Sequence, residues 1–193
     1  MIFETFLVSF FSYIAGSVPF GLILSKFFLS KDIRNVGSKN IGATNVLRAG
    51  NKFVAGLTLF MDIFKGFAPV IIVKFYFPNL IYLSALMAFL GHIFPIWLKF
   101  KGGKGVATYL GVIFALSLKL ALLFCVSWIL ISFITKYSSL SSIISTLVIF
   151  LISFFESNFE INSFLFIVFV IILYTHRKNI VRLKNRTEDK IKL

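Results

Sequence analysis

Apolar runs at about 3–29, 53–77, 79–98, 106–118, 120–135, 139–155 and 160–175 alternate with short polar segments along the whole chain. Runs near the roughly 20 residues that a helix needs to cross a bilayer predict a polytopic helical protein with short connections. Gly16-Ser17-Val18-Pro19 interrupts the first run in its middle, which predicts a retained, locally irregular first helix rather than a cleaved leader. Pro78-Asn79 predicts a tight turn between the second and third runs. The fourth and fifth runs are short and only Lys119 separates them, so a single tilted helix there would reduce seven crossings to six. No internal repeat of the kind that builds inverted-repeat transporters is visible.

Composition turns this pattern into a membrane assignment. Hydrophobic residues make up 59% of 193 positions, 26 of them phenylalanine, and mean hydropathy is +0.96. Soluble domains run nearer half apolar. The expected fold is all-α: one membrane-embedded domain over residues 1–193 with seven transmembrane helices.

Charge orients it. The net charge is +13, and most of the Lys and Arg residues fall in three clusters: Lys31, Arg34, Lys39, Arg48 and Lys52; Lys99, Lys101 and Lys104; and a tail with Arg177, Lys178, Arg182, Lys184, Arg186, Lys190 and Lys192. Seven crossings bring all three clusters to one side, cytoplasmic by the positive-inside rule, with the N-terminus and the acidic loop 156–160 outside. Six crossings would strand the basic tail. Basic residues at the ends of membrane segments record topology rather than nucleic-acid binding. Cys125 lies in an apolar run and reads as a small buried hydrophobe, with no disulfide or thiolate cluster open to one chain. Of the deeper charges Lys26, Asp62 and Lys65, the last two are three apart and suit a structural ion pair.

Candidate chemistry sits in three polar islands. The first, from Asp32 to Gly50, offers Ser38, Asn40, Thr44, Asn45 and Arg48 as donors to an oxyanion or polyol, with Gly37 and Gly42 permitting tight turns. The second, Lys101-Gly102-Gly103-Lys104-Gly105, precedes a helix start where backbone N–H groups and Lys104 would converge on phosphate. Gly105 follows Lys104 where a Walker A loop has Ser or Thr, so phosphate binding without nucleotide hydrolysis is the inference. The third places His176 and Asn179 on one face at the end of the last helix.

Taken together, Gly16-Ser17-Val18-Pro19-Phe20-Gly21 with Gly37-Ser38-Lys39-Asn40-Ile41-Gly42-Ala43-Thr44-Asn45, Gly91-His92-Ile93-Phe94-Pro95 leading to Phe100-Lys101-Gly102-Gly103-Lys104-Gly105-Val106-Ala107-Thr108, and His176 with Asn179-Ile180 and Arg182-Leu183 resemble the three signatures of the PlsY family. These are the bacterial acyl-phosphate:glycerol-3-phosphate acyltransferases. The resemblance runs the length of the chain. It implies acyl transfer from acyl phosphate to the 1-hydroxyl of sn-glycerol 3-phosphate, giving lysophosphatidic acid and inorganic phosphate for phospholipid synthesis. It also implies a multi-pass protein of the bacterial inner membrane with its site facing the cytoplasm, coupled to an enzyme that makes acyl phosphate. Ser38, His176 and Asn179 carry over as catalytic residues; Asn40, Thr44, Asn45, Arg48, Gly102, Gly103, Lys104 and Gly105 fall in the substrate-binding motifs. Lys39 stands where the family usually has glycine, so the backbone there should not need a glycine-only conformation. Asn185 and Arg186 lie near another such position.

An acyl phosphate is a mixed anhydride, already activated, so no covalent nucleophile is needed. Lys104, Arg48 and the glycine-rich backbone would hold phosphates. His176 oriented by Asn179, or the donor's own oxygens, would take the hydroxyl proton. No metal or cofactor is expected. A membrane anion transporter is the alternative, disfavoured because the islands lie at one interface rather than at the bilayer midplane.

Overall fold

The computed structural model describes residues 1–156 and 158–191; Ser157 of the acidic loop and Lys192 of the basic tail lie outside the described residues. Its regular structure is helical, with no strand among the described residues. Two compact units divide at Leu116/Ser117, and each is taken by itself.

The first unit, Met1–Leu116, holds α1 (Ile2–Ser17), α2 (Phe20–Leu29), α3 (Ala43–Arg48), α4 (Lys52–Tyr76), α5 (Ile81–Ile93) and α6 (Val106–Leu116). The anticipated irregularity in the first run is a true break. Val18 is extended and Pro19 has no N–H to give, so α1 stops and α2 restarts at Phe20. Trp97 Nε1 donates to Ser17 Oγ at 2.8 Å and holds the end of α1. Small residues let α1 pack closely on α5: a side chain at Gly16 would strike the Ala88 carbonyl, one at Gly91 the Tyr13 carbonyl, and the Ser12 and Ser84 hydroxyls pair at 2.8 Å. Asn51 caps α4 by accepting from Val54 N. The Pro78 turn is present as a short 3-10 helix, Pro78–Leu80.

The second unit holds α7 (Leu118–Thr135), α8 (Ser138–Ser153), α9 (Phe159–Thr175) and α10 (Arg177–Lys184). The break between the fourth and fifth runs falls at Ser117 rather than Lys119, because the Ser117 hydroxyl caps α7 by accepting from Leu120 N. Serines on the buried side of α8 return their hydroxyls to carbonyls one turn back, as Ser141 does to Tyr137 and Ser142 to Ser138. Ser142 Oγ also takes the indole N–H of Trp128 on α7 at 3.1 Å. Cys125 on α7 is half-buried.

Among the described residues, four helical stretches are long and apolar enough to cross a membrane: Ile2–Leu29, Lys52–Tyr76, Pro78–Leu98 and Leu118–Thr135. A fifth is Phe159–Thr175 if the segment Arg177–Lys184, bent from it by 60°, is counted with it. Val106–Leu116 and Ser138–Ser153 are apolar but shorter. Eleven residues span only about 16 Å against a hydrocarbon core of about 30 Å, so the count of seven does not follow from helix length. Outward faces carry Phe6, Phe10, Phe60, Phe75 and Phe133, all largely exposed, as lipid-facing helices do. Lys26, read as a deep charge, is exposed in the last turn of α2, where a cation favours the carbonyl end of the helix.

Candidate functional site

In the first unit the island between α2 and α4 is built around one side chain. Asn45 is 2% exposed; its Oδ1 accepts from Ser38 N at 2.9 Å, and its Nδ2 reaches the carbonyls of Ile33, Val36 and Asn40 at 3.0, 2.9 and 2.8 Å. The expectation that Asn45 binds substrate is therefore revised, since both ends of its amide are committed to the loop. Asn45 shapes the loop, and Ser38 and Arg48 are displayed by it. The loop turns through left-handed residues, Gly37 at φ 51° and Lys39 at φ 59°. Lys39 thus adopts a conformation that glycine favours, although one a lysine can reach at a cost of roughly 1–2 kcal/mol. The Arg48 stem passes over Gly37. Asn40 turns its Oδ1 onto the next N–H, that of Ile41. Thr44 and Arg48 lie on α3, half-buried. At the rim, Arg34 pairs with Asp32 at 2.6 Å and holds its carboxyl down to about 2; the pair is open to solvent on the Arg34 side and contributes little to stability.

The second island lies at the same end of this unit. Leu98, just before it, packs against the cluster of Ile33, Ile41, Val46 and Val54 beneath the first loop. Lys99 and Phe100 are both left-handed, at φ 52° and 61°, an uncommon state for a bulky residue and one that gathers at functional sites. The glycines then do something other than expected. Gly102 N donates to the Ile93 carbonyl at 3.0 Å and Gly103 N to the His92 carbonyl at 3.1 Å. These two N–H groups close the end of α5, so they are not phosphate ligands in this structure. The glycines are required by closeness: a Cβ on Gly102 would strike the His92 carbonyl, one on Gly103 the His92 ring, and one on Gly105, at φ 89°, the Phe89 ring. Lys104 emerges half-buried from this tight turn, and Gly105 opens α6 by accepting from Tyr109 N at 2.7 Å.

Beneath the turn, Asp62 and Lys65 form the anticipated ion pair at 2.7 Å, with side chains 2% and 3% exposed. Lys65 Nζ also donates to the Val18 carbonyl at 2.6 Å.

In the second unit the chain bends at His176, which ends α9 and precedes α10. His176 and Asn179 therefore do not share one continuous helix, though both are buried. His176 Nδ1 lies 2.9 Å from the Ile172 carbonyl and 3.4 Å from the Thr175 hydroxyl. A carbonyl only accepts, so Nδ1 carries the proton and the lone pair of the neutral ring is on Nε2. Asn179 Nδ2 donates to Glu188 Oε1 at 2.6 Å. Glu188 also accepts from Ser139 Oγ at 2.8 Å and from Arg182 Nε at 2.7 Å. Partial burial pushes its carboxyl up, but the hydrogen bonds from Asn179, Arg182 and Ser139 outweigh this and hold it below the ordinary value. Sequence reasoning missed Glu188; the signal was an acid in a basic tail. Arg186 is left-handed at φ 58°, so the second position near which the family often has glycine also keeps a glycine-like backbone.

The profile of the family described as glycerol-3-phosphate acyltransferase matches residues 6–186. The chain is 53% identical over 190 residues to a glycerol-3-phosphate acyltransferase of Pelagibacter ubique strain HTCC1062, covering 98% of this chain and 99% of that one. It is 46% identical over 181 residues to that of Brucella ovis, covering 94% and 90%. Its fold is similar to crystal structures of PlsY (YgiH), an integral membrane glycerol 3-phosphate acyltransferase. The glycerol 3-phosphate form gives a TM-score of 0.93 at 38% identity, over 98% of this chain and 96% of that one. The lysophosphatidic acid form gives 0.90 at 37% identity, over 97% and 95%.

Proposed function

Because this chain belongs to the glycerol-3-phosphate acyltransferase family, we propose that it moves a fatty acyl group from acyl phosphate to the 1-hydroxyl of sn-glycerol 3-phosphate. The products are lysophosphatidic acid and inorganic phosphate. The observation that carries the reading is that Arg48, on the helix that closes the first loop, and Lys104, at the end of the second, belong to two loops that share one apolar base in the first unit, both turned through left-handed residues. Such loops give a guanidinium and an ammonium the fixed backbone that phosphate recognition needs.

The acceptor oxygen forms a bond to the acyl carbon while the carbon–oxygen bond to phosphate breaks and its electron pair leaves with phosphate. No acyl-enzyme intermediate is required. Arg48 and Lys104 hold phosphate charge; Asn40 and Thr44 offer polar contacts to the polyol. Ser38 assists attack, and His176 receives the hydroxyl proton on Nε2 or passes it to a departing phosphate oxygen. Asn179 acts as a positioning residue tied to Glu188. We read the chain as one acyltransferase domain crossing the inner membrane seven times, N-terminus outside and site toward the cytoplasm, and fed by an enzyme that makes acyl phosphate. Its support is the gathering of basic residues in three segments that seven crossings bring to one side.

The test is product formation by the purified protein given glycerol 3-phosphate with acyl phosphate or with acyl-CoA, beside phosphate uptake into vesicles containing it. Product with acyl phosphate alone is expected. Equal use of acyl-CoA overturns the donor, and uptake without product overturns the enzyme.

A further inference from the structure

Three buried polar side chains of the first unit, Asp62 and Lys65 on α4 and His92 on α5, are not used by the chemistry above. Buried charge far from water is costly, and this cluster sits inside a helical layer. What it touches explains its presence. Lys65 Nζ is shared between Asp62 Oδ1 at 2.7 Å and the Val18 carbonyl at 2.6 Å, the carbonyl at the break between α1 and α2. Asp62 Oδ1 in turn faces His92 Nδ1 at 3.8 Å, beyond hydrogen-bond reach, and this nitrogen has no hydrogen-bond partner among the described residues. The opposite edge of the ring, at Nε2, lies where a Cβ of Gly103 would be, and the His92 carbonyl takes the Gly103 N–H at 3.1 Å.

We infer that His92, backed by the Asp62–Lys65 pair, is the positioning residue of the Gly102-Gly103-Lys104 turn. The ring is a wedge with Asp62 behind it and the Gly103 backbone in front. Its tilt sets how far the turn settles onto α5, and Lys104, one residue on, inherits that height. The same pair fixes the Val18 carbonyl at the break before α2 and the Ser38 loop, so one cluster references both loops to α4. This inference rests on the proposed function for the role of Lys104 in holding phosphate; the wedge itself rests on geometry alone.

The experiment is a double-mutant cycle in the purified full-length protein, pairing Lys104→Ala with His92→Ala and separately with His92→Phe. The phenylalanine keeps a flat ring in the same place, though a larger one, and has no nitrogen facing Asp62. If His92 acts through Lys104, each His92 change alone lowers kcat/KM by about tenfold, in whichever of kcat or KM Lys104→Ala changes. Each double variant then stays within about threefold of Lys104→Ala alone. Losses that multiply, or wild-type kinetics for His92→Phe, overturn the inference. A second arm needs no activity: hydrogen exchange of the 99–105 segment should quicken in both His92 variants, and unchanged exchange also overturns the wedge. A wild-type protein that forms no product from acyl phosphate overturns the function instead, and leaves the exchange arm to decide the wedge.

Discussion

Asn45 is the residue on which the first loop depends, because one amide serves one backbone N–H and three carbonyls. Its loss leaves buried groups unsatisfied at about 1–3 kcal/mol each. Asn45→Ala is therefore expected to quicken hydrogen exchange over 33–40 and to lower turnover sharply, though no substrate contact is removed; slow exchange with full activity would refute the assignment. Lys104→Ala and Arg48→Ala are expected to abolish most activity in folded protein, with Arg48→Lys rescuing only in part where the contact is bidentate. Ser38→Ala and His176→Ala should lower kcat more than they raise KM; a pure KM effect would make His176 a positioning residue. Lys39 and Arg186 hold glycine-like backbones with side chains attached. Relief of left-handed strain, set against the added freedom of glycine in the unfolded chain, makes Lys39→Gly and Arg186→Gly stabilising by up to about 1 kcal/mol, readable as a raised unfolding temperature. Residue types in the islands were legible from sequence. The division of labour among them was not, since nothing in spacing tells an amide that binds substrate from one consumed by its own loop.

At the scale of elements, proline marked what was foreseen: the break at Val18-Pro19 and the turn at Pro78 both rest on a missing N–H that no neighbour can replace. The bend at His176 carried no such mark. The apolar run simply ends there, and the tail that folds back over α10 is held by Glu188 through contacts spanning 9 and 49 residues of sequence. The second island was legible as a tight glycine-rich turn before a helix, but the use of its N–H groups to finish α5 was not, because that depends on where α5 stops. The tail clamp has a pH dependence of known sign. Glu188 titrates below its ordinary value in the folded chain, so its contribution is fully present above the ordinary glutamate range and is lost as pH falls through the lowered value. Protection of the 185–191 amides, taken relative to the intrinsic exchange rate at each pH, should therefore fall on acidification, and Glu188→Gln should show low protection with little dependence on pH in this range. A tail that stays protected in Glu188→Gln would show that the carboxylate is not what holds it.

At the scale of the molecule, hydropathy identified a membrane protein and basic residues are the ground for the orientation proposed, whereas helix length among the described residues supports only four or five crossings. Single cysteines decide between these counts. With Cys125 replaced by alanine, Val36→Cys, Lys101→Cys and Thr187→Cys should be shielded in intact cells from an impermeant thiol reagent, and Asn79→Cys and Asn158→Cys labelled. Labelling at 101 from outside would overturn the seven-crossing topology. The break at Val18-Pro19 reaches further than the helix that contains it. The stretch Ile2–Leu29 has 28 residues, about 42 Å if straight, well above a hydrocarbon core of about 30 Å. Hydrophobic mismatch of this size is relieved by tilt or bending, and the break provides the joint. Because the Ser38 loop follows directly on α2, bilayer thickness becomes a variable of the reaction. Turnover in vesicles should change with lipid chain length even when the substrates do not.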